Sequence, residues 1–324
     1  MDINTRNIKV WSTIGSRATL GIAAVELAKE IDELMVLTCD VSTSAGLDRF
    51  RKTYPEKYLD LGIAEQNMIG VAAGLASENF NVVTTTFAPF QTMRCCEQIK
   101  VNLGYMSQKV CMVGIASGLA LGTLGYTHCC IEDIGVLRSI PGIVIISPAD
   151  SLETIKALNS AVRSSKPTYI RLTGGSNNPI VYDKDYNFEI GKSITLKEGE
   201  DVTIFASGAS VFQSLEAAKI LEKENLSCGV INMHTIKPLD TDAIKKACKS
   251  KLIATVEEHN IIGGLGSAVS EYKSTLSSSP KQVFFGINDT YSKGGNYKFL
   301  LNKHGLTAEK IVNGILINLK KLNE

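Results

Sequence analysis

No stretch of this chain is apolar over a length close to that of a bilayer-spanning helix. The opening segment, MDINTRNIKVWS, also lacks the apolar run of a secretory signal. Excess charge of one sign is missing too. The formal net charge is +1 over 324 residues, so nothing electrostatic points to nucleic acid or to an acidic membrane surface. The eight cysteines contain no CxxC pair. Cys95-Cys96 and Cys129-Cys130 are adjacent, and most cysteines lie in apolar or helical-looking segments, which favours reduced thiols over disulfides or a zinc site. Together these absences predict a cytosolic protein. No short-period repeat or low-complexity tract occurs. What remains is an ordinary globular composition, 44% hydrophobic and 21% charged, in a chain long enough for two full cores.

Short apolar, β-rich runs alternate with longer helical patterns. Strands are predicted at 34–39, 81–86, 109–115, 142–147 and 167–172, then at 201–207, 228–233, 251–256 and 281–286. Apolar residues at three- and four-residue spacing predict helices at 17–31, 65–79, 150–165, 210–225 and 307–322. Continuous apolar strands separated by helices imply α/β architecture, with mainly parallel sheets covered on both faces. The stretch GGSNNPIVYDKDYNFEIG at 174–191 is polar and breaks this rhythm. It divides the chain into a domain at 1–180 and a smaller one at 190–324.

Three segments carry candidate chemistry. In YLDLGIAEQNMIGVAAGLASENF, 58–80, a strand runs into a helix whose Gly70, Ala73, Gly74 and Ala76 would let it approach another backbone closely. Glu65 opens that helix just past a strand end, where open α/β sheets place their ligands. Taken alone, it reads first as an acid interacting with the helix dipole. In TTTFAPFQTMRCCEQIK, 84–100, Phe87 and Phe90 follow a β-rich run; by themselves they are ordinary core aromatics. In 118–154 a glycine-rich loop delivers His128 just before a short helix, as a functional loop histidine or as a loop-anchoring one.

In order and spacing, these segments resemble the transketolase family. The matching words are GSRATLG (15–21), CDVSTS (39–44), DLGIAEQNMIGVAAGLA (60–76), TTFAPFQTMR (85–94), YTHCCIEDIGVLRSIPGIVIISPAD (126–150) and YIRL (169–172). INMHTIKPLD (231–240), EEHNIIGGLGSAV (257–269) and GINDTYSKGG (286–295) continue the match. The resemblance implies thiamine diphosphate as cofactor, bound between two domains. One of these carries a Gly-Asp-Gly motif with a downstream Asn for Mg²⁺ (or Ca²⁺ or Mn²⁺). No Gly-Asp dipeptide occurs in this chain. The resemblance therefore covers only the pyrimidine-binding and C-terminal domains. It implies a split enzyme of carbohydrate metabolism, whose metal and diphosphate sit mainly on an N-terminal transketolase-like partner subunit. An α₂β₂ heterotetramer is the simplest such assembly.

By the same resemblance, Glu65 hydrogen-bonds the cofactor's aminopyrimidine and promotes removal of the thiazolium proton. Burial against the cofactor is expected to outweigh the helix start and to raise its pKa. Phe87, Phe90 and Met93 flank the pyrimidine, Met93 replacing an aromatic. His128 contacts the donor's oxygens. Arg17 and Arg171 match phosphate-binding positions, a task suited to the planar guanidinium fork, and Ser44 matches a nearby hydroxyl. Without the resemblance, each arginine reads as half of a surface ion pair. The chain departs from the family at Ala116, Leu124 and Tyr126, where a histidine, an acid and a proline are usual. These changes point either to a substrate with fewer hydroxyls or to compensation elsewhere. Rival readings are a deoxyxylulose-phosphate-synthase-like enzyme, the β subunit of a 2-oxo-acid dehydrogenase first component, and a non-catalytic regulatory paralogue.

Overall fold

Each of the nine apolar runs forms a strand in the computed structural model, which describes residues 1–324, the side chain of Asn323 excepted. The strands are β1 (Leu34–Thr38), β2 (Tyr58–Asp60), β3 (Asn81–Phe87), β4 (Val110–Ile115), β5 (Val144–Ile146), β6 (Thr168–Arg171), β7 (Ile194–Lys197), β8 (Val202–Ala206), β9 (Cys228–Asn232), β10 (Thr235–Lys237), β11 (Leu252–Asn260) and β12 (Lys281–Ile287). They build a seven-stranded sheet in the order β10-β5-β6-β4-β3-β1-β2 and a five-stranded sheet in the order β12-β11-β8-β9-β7.

Pairing is parallel except at two edges, where β10 runs antiparallel to β5 and β7 antiparallel to β9. Periodicity did not reveal these two edge strands, because three or four residues are too few to show a pattern. Moreover, β10 comes from beyond residue 190 yet completes the first sheet, so the second half of the chain contributes to the first half's architecture.

Alternate residues of the central strands feed opposite layers. Val36, Val83 and Val113 pack toward Leu20 and Leu158, on the helices Thr5–Glu30 and Ser151–Arg163. Leu37, Val82 and Met112 pack toward Met68 and Ile69, on the helix Glu65–Ser77. This is the two-residue alternation of a strand buried on both faces. The first of these cores runs on without a break into the second sheet through Val202, Leu252 and Ile315. Gly70 and Gly74 do not serve a close approach within the chain: both are exposed, with open space where a Cβ would stand.

The first helix extends further back than expected, from Thr5 to Glu30, with a kink at Gly15 (φ 81°, ψ 170°). A Cβ there would lie 2.5 Å from the Gly175 carbonyl, so only glycine admits the loop that docks on the kink. Asn177 and Asn178 donate their backbone N–H to the Thr13 and Ser12 carbonyls, at 3.1 and 3.0 Å. The polar stretch after residue 174 is thereby fastened to the first helix. All eight cysteines are free thiols, and among the described residues no helix is long and apolar enough to cross a membrane.

Arg171, at the end of β6, joins the two halves. Its Nε lies 2.8 and 2.9 Å from the two carboxylate oxygens of Asp133, and its Nη2 donates to the carbonyls of Glu258 (2.7 Å) and Cys130 (3.2 Å). Tyr169 donates its hydroxyl to the same carboxylate at 2.8 Å. Arg171 is 1% exposed and Asp133 is fully buried. Burial holds the adjacent His259 neutral, pulling it down to about 4; its Nε2 accepts from the Gly135 N–H at 3.3 Å. Arg171→Met should leave Asp133 buried and unpaired and lower unfolding free energy by about 3–5 kcal/mol in urea titration. Pairing it with Asp133→Leu should recover most of that loss.

Candidate active site

The carboxyl ends of β1, β2, β3 and β4 deliver the candidate residues to one edge of the larger sheet, the edge where open α/β sheets bind ligands. Asp60, at the end of β2, shapes the turn that presents Glu65. Its carboxylate accepts the N–H groups of Asp40 (2.9 Å) and Gly62 (3.0 Å) and the hydroxyls of Thr38 (3.1 Å) and Tyr58 (3.2 Å). Burial pushes the Asp60 pKa up, but these four donors together outweigh it and hold the carboxyl below its usual value.

Glu65 then opens its helix and is 3% exposed. Its buried charge is met by Arg94, whose Nη1 lies 2.7 Å from Oε2. The Arg94 guanidinium sits 4.0 Å over the Phe90 ring. Burial, reinforced by the Glu65 charge, pushes the nearby thiols of Cys39 and Cys95 up to about 11 and about 12. Neither is a nucleophile at neutral pH.

The aromatic wall forms as β3 ends. Phe87 and Phe90 meet edge to face with centroids 6.3 Å apart, and the His128 imidazole packs against them at 6.0 and 5.5 Å. Three segments far apart in sequence thus bring Glu65, Phe87, Phe90, Arg94 and His128 into one cluster. Thr127 donates its hydroxyl to the Leu124 carbonyl (3.3 Å) and lies 3.0 Å from His128 Nδ1. Met93 is 41% exposed beside this wall.

The loop that carries His128 begins in a strained turn. Ala116 takes φ 54° while 2% exposed, a conformation that costs a non-glycine residue about 1 kcal/mol or more. At Gly118 a side chain would collide with the Glu258 carboxylate. That carboxylate accepts the Leu119 N–H (2.7 Å) and the Tyr297 hydroxyl (2.6 Å). Further along, Tyr126 reaches Ser292 Oγ at 3.1 Å and His304 Nε2 at 3.0 Å, and packs on Tyr291. Leu124 is 55% exposed. The second domain therefore holds the loop at both ends.

Arg17 and Ser44 also come together: Arg17 Nη1 lies 3.5 Å from the Ser44 carbonyl, and Ser44 is exposed. Arg171 does not join them. Its Nε and Nη2 are engaged by Asp133 and two carbonyls and the residue is 1% exposed, so the phosphate contact expected of it would fall to Nη1 alone. Sequence reasoning also missed Arg94, Asp133 and Glu258. Arg94 closes the matching word TTFAPFQTMR, and a buried glutamate's need for a countercharge was the signal that pointed to it.

Fold and site define a class first: a two-domain α/β chain with a cluster of candidate residues at the carboxyl edge of the larger sheet. The model for the transketolase pyrimidine-binding domain matches residues 12–178, and that for the transketolase C-terminal domain matches residues 191–311. The chain belongs to the transketolase family and is a transferase chain spanning these two domains. It is 37% identical to an apulose-4-phosphate transketolase subunit of Phocaeicola vulgatus, over 95% of this chain and 98% of that one. It is 36% identical to a 6-deoxy-6-sulfo-D-fructose transketolase subunit of a Clostridium species, over 89% of each. A solved structure described as "Split gene transketolase, inactive beta4 tetramer" superposes with a TM-score of 0.85 at 37% identity, covering 95% of this chain and 98% of that one.

The Tyr126 hydroxyl provides a direct test of the loop latch. Tyr126→Phe removes its contacts to Ser292 and His304 and should speed amide exchange at Gly122, Leu124 and Gly125 by between about two- and tenfold. Hydrogen-exchange mass spectrometry on the full chain reads this out; unchanged protection would show that the hydroxyl does not hold the loop.

Proposed function

We propose that this chain is the pyrimidine-binding subunit of a thiamine-diphosphate-dependent transketolase-type enzyme, transferring a two-carbon ketol unit between sugar substrates. The observation that carries this reading is the buried Glu65 carboxylate beside the Phe87–Phe90 wall. A planar, nitrogen-bearing ring suits that donor set: it can stack on an aromatic and share a proton with a carboxylate. Both relatives are named as transketolase subunits, which supports the reading further.

When bound, thiamine diphosphate supplies the carbon centre for carbon–carbon bond cleavage. The chain's own residues hold and orient it. Glu65 holds a proton at the ring nitrogen, Phe87, Phe90 and Met93 pack its faces, and His128 is placed to accept a proton from a donor hydroxyl. Among the described residues no group of three or more His, Cys, Asp or Glu is placed to hold a metal ion. We assign Mg²⁺ and the diphosphate to an N-terminal partner subunit, and the assembly to an α₂β₂ heterotetramer. Eight free thiols fit a reducing, cytoplasmic setting. Domain limits at 1–180 and 190–324 follow the two sheets, apart from β10.

Arg17, beside Ser44, is the arginine that remains available for a substrate anion. The relatives' names support this: one contains a phosphate and the other a sulfo group. Leu124 presents an apolar group where the family places an acid, and Ala116 is a buried alanine where it places a histidine; both changes favour a substrate with fewer hydroxyls there.

The isolated chain should show no turnover, and the partner subunit should restore it together with Mg²⁺-dependent cofactor binding; robust activity of the single chain would overturn the split-enzyme assignment. In the assembled enzyme Glu65→Gln should lower kcat by roughly 10²–10⁴, with a much smaller change in cofactor affinity. A regulatory paralogue would instead leave kcat untouched. Arg17→Ala should raise KM for a phosphorylated acceptor by the equivalent of about 1.5–3 kcal/mol, and affect an unphosphorylated analogue little. Equal losses for both acceptors would return Arg17 to a structural role.

A further inference from the structure

Glu65 has a planar cation of the chain's own facing it. Arg94 donates Nη1 to Oε2 at 2.7 Å while its guanidinium lies 4.0 Å over the Phe90 ring. Those are the two interactions on which the proposed pyrimidine site depends: an N–H to the buried carboxylate and a flat face on an aromatic. A guanidinium is planar, carries its N–H donors in the plane and stacks on aromatic faces. One space between Glu65 and Phe90 cannot hold both this group and a ring.

The two partners also differ in access. Glu65 is 3% exposed, whereas the Arg94 side chain is 42% exposed, so the cation can swing into solvent while the carboxylate stays. The Arg94 backbone meanwhile remains tied to the same helix start, its carbonyl accepting from Gln66 Nε2 at 3.1 Å. Met93, next in sequence, is likewise exposed, at 41%.

We infer that Arg94 is a built-in stand-in for the cofactor ring. It neutralises Glu65 and covers Phe90, and it must leave both for thiamine diphosphate to bind. Arg94 thereby sets cofactor affinity and keeps the pocket folded. Every molecule with the latch closed is unable to bind, so apparent affinity falls by the fraction that is open. The inference rests on the thiamine-diphosphate reading above. Its consequence runs opposite to that of an ordinary binding-site arginine: removing the side chain tightens binding.

Calorimetric titration of thiamine diphosphate with Mg²⁺ into the assembled two-chain protein tests this. Arg94→Ala should lower Kd by about tenfold, the effect of a latch closed about nine-tenths of the time. Arg94→Lys, which keeps the charge but loses the plane, should fall between Ala and wild type. An unchanged or weaker Kd in Arg94→Ala would overturn the inference and make Arg94 a standing countercharge. Wild-type protein that binds no thiamine diphosphate would instead sink the cofactor reading, and this inference with it. A second measurement needs neither partner nor activity. In a double-mutant cycle on the full chain, Arg94→Ala and Glu65→Gln should be coupled in thermal stability. Additive effects would show that no latch exists.

Discussion

The buried pair between Arg171 and Asp133 is the constraint on which the rest of the molecule rests. Taking two charges out of water costs several kcal/mol per ion, and the hydrogen bonds around this pair offset that cost. Tyr169 donates to the carboxylate, while the carbonyls of Cys130 and Glu258 accept from the guanidinium. The five participants come from four segments: β6, the helix after His128, the His128 loop and β11. A single cation thus ties β11 of the second sheet to β6 of the first. Loosely placed charges could not do so, because any mismatch would strand one of them in a closed, apolar region.

The neighbouring acids follow from that placement. Glu257, Glu258 and His259 are consecutive on β11 and each is at most 1% exposed. Glu257 accepts the N–H groups of Leu265 and Gly266 at the start of the next helix, and burial still pushes it up to about 7. Glu258 faces the other way and accepts from Leu119, at the root of the glycine-rich loop. One strand therefore caps its own domain's helix with one carboxylate and anchors the other domain's loop with the next. His128 stands at the far end of that loop, so its position relative to Phe87 and Phe90 is set partly by a domain that never enters the pocket.

The pocket itself combines a rigid floor with an exposed cover. Phe87 ends a central strand, and Glu65 is buried and held through the Asp60 turn. Arg94, Met93 and Leu124 are substantially exposed. Groups that must be precise stand on buried elements, and groups that must yield to a ligand stand at the surface, a division common to sites built at strand ends.

Much of this was legible in the sequence because it is periodic. Nine apolar runs and five helical patterns determine an α/β chain buried on both sheet faces, and the order of short motifs singles out Glu65, Phe87, Phe90 and His128. Antiparallel β7 and β10 carried no such signal, being too short to show a period. The two matched arginines could not be told apart in sequence either: Arg17 remained accessible beside Ser44, while Arg171 became the hidden clamp. Periodicity records which side of an element meets a core, a local property. Which charge meets which, as for Asp133 with Arg171 38 residues on or Glu65 with Arg94 29 residues on, depends on how the layers stack. Burial then decided which cations pair inside the protein and which stay available to a ligand.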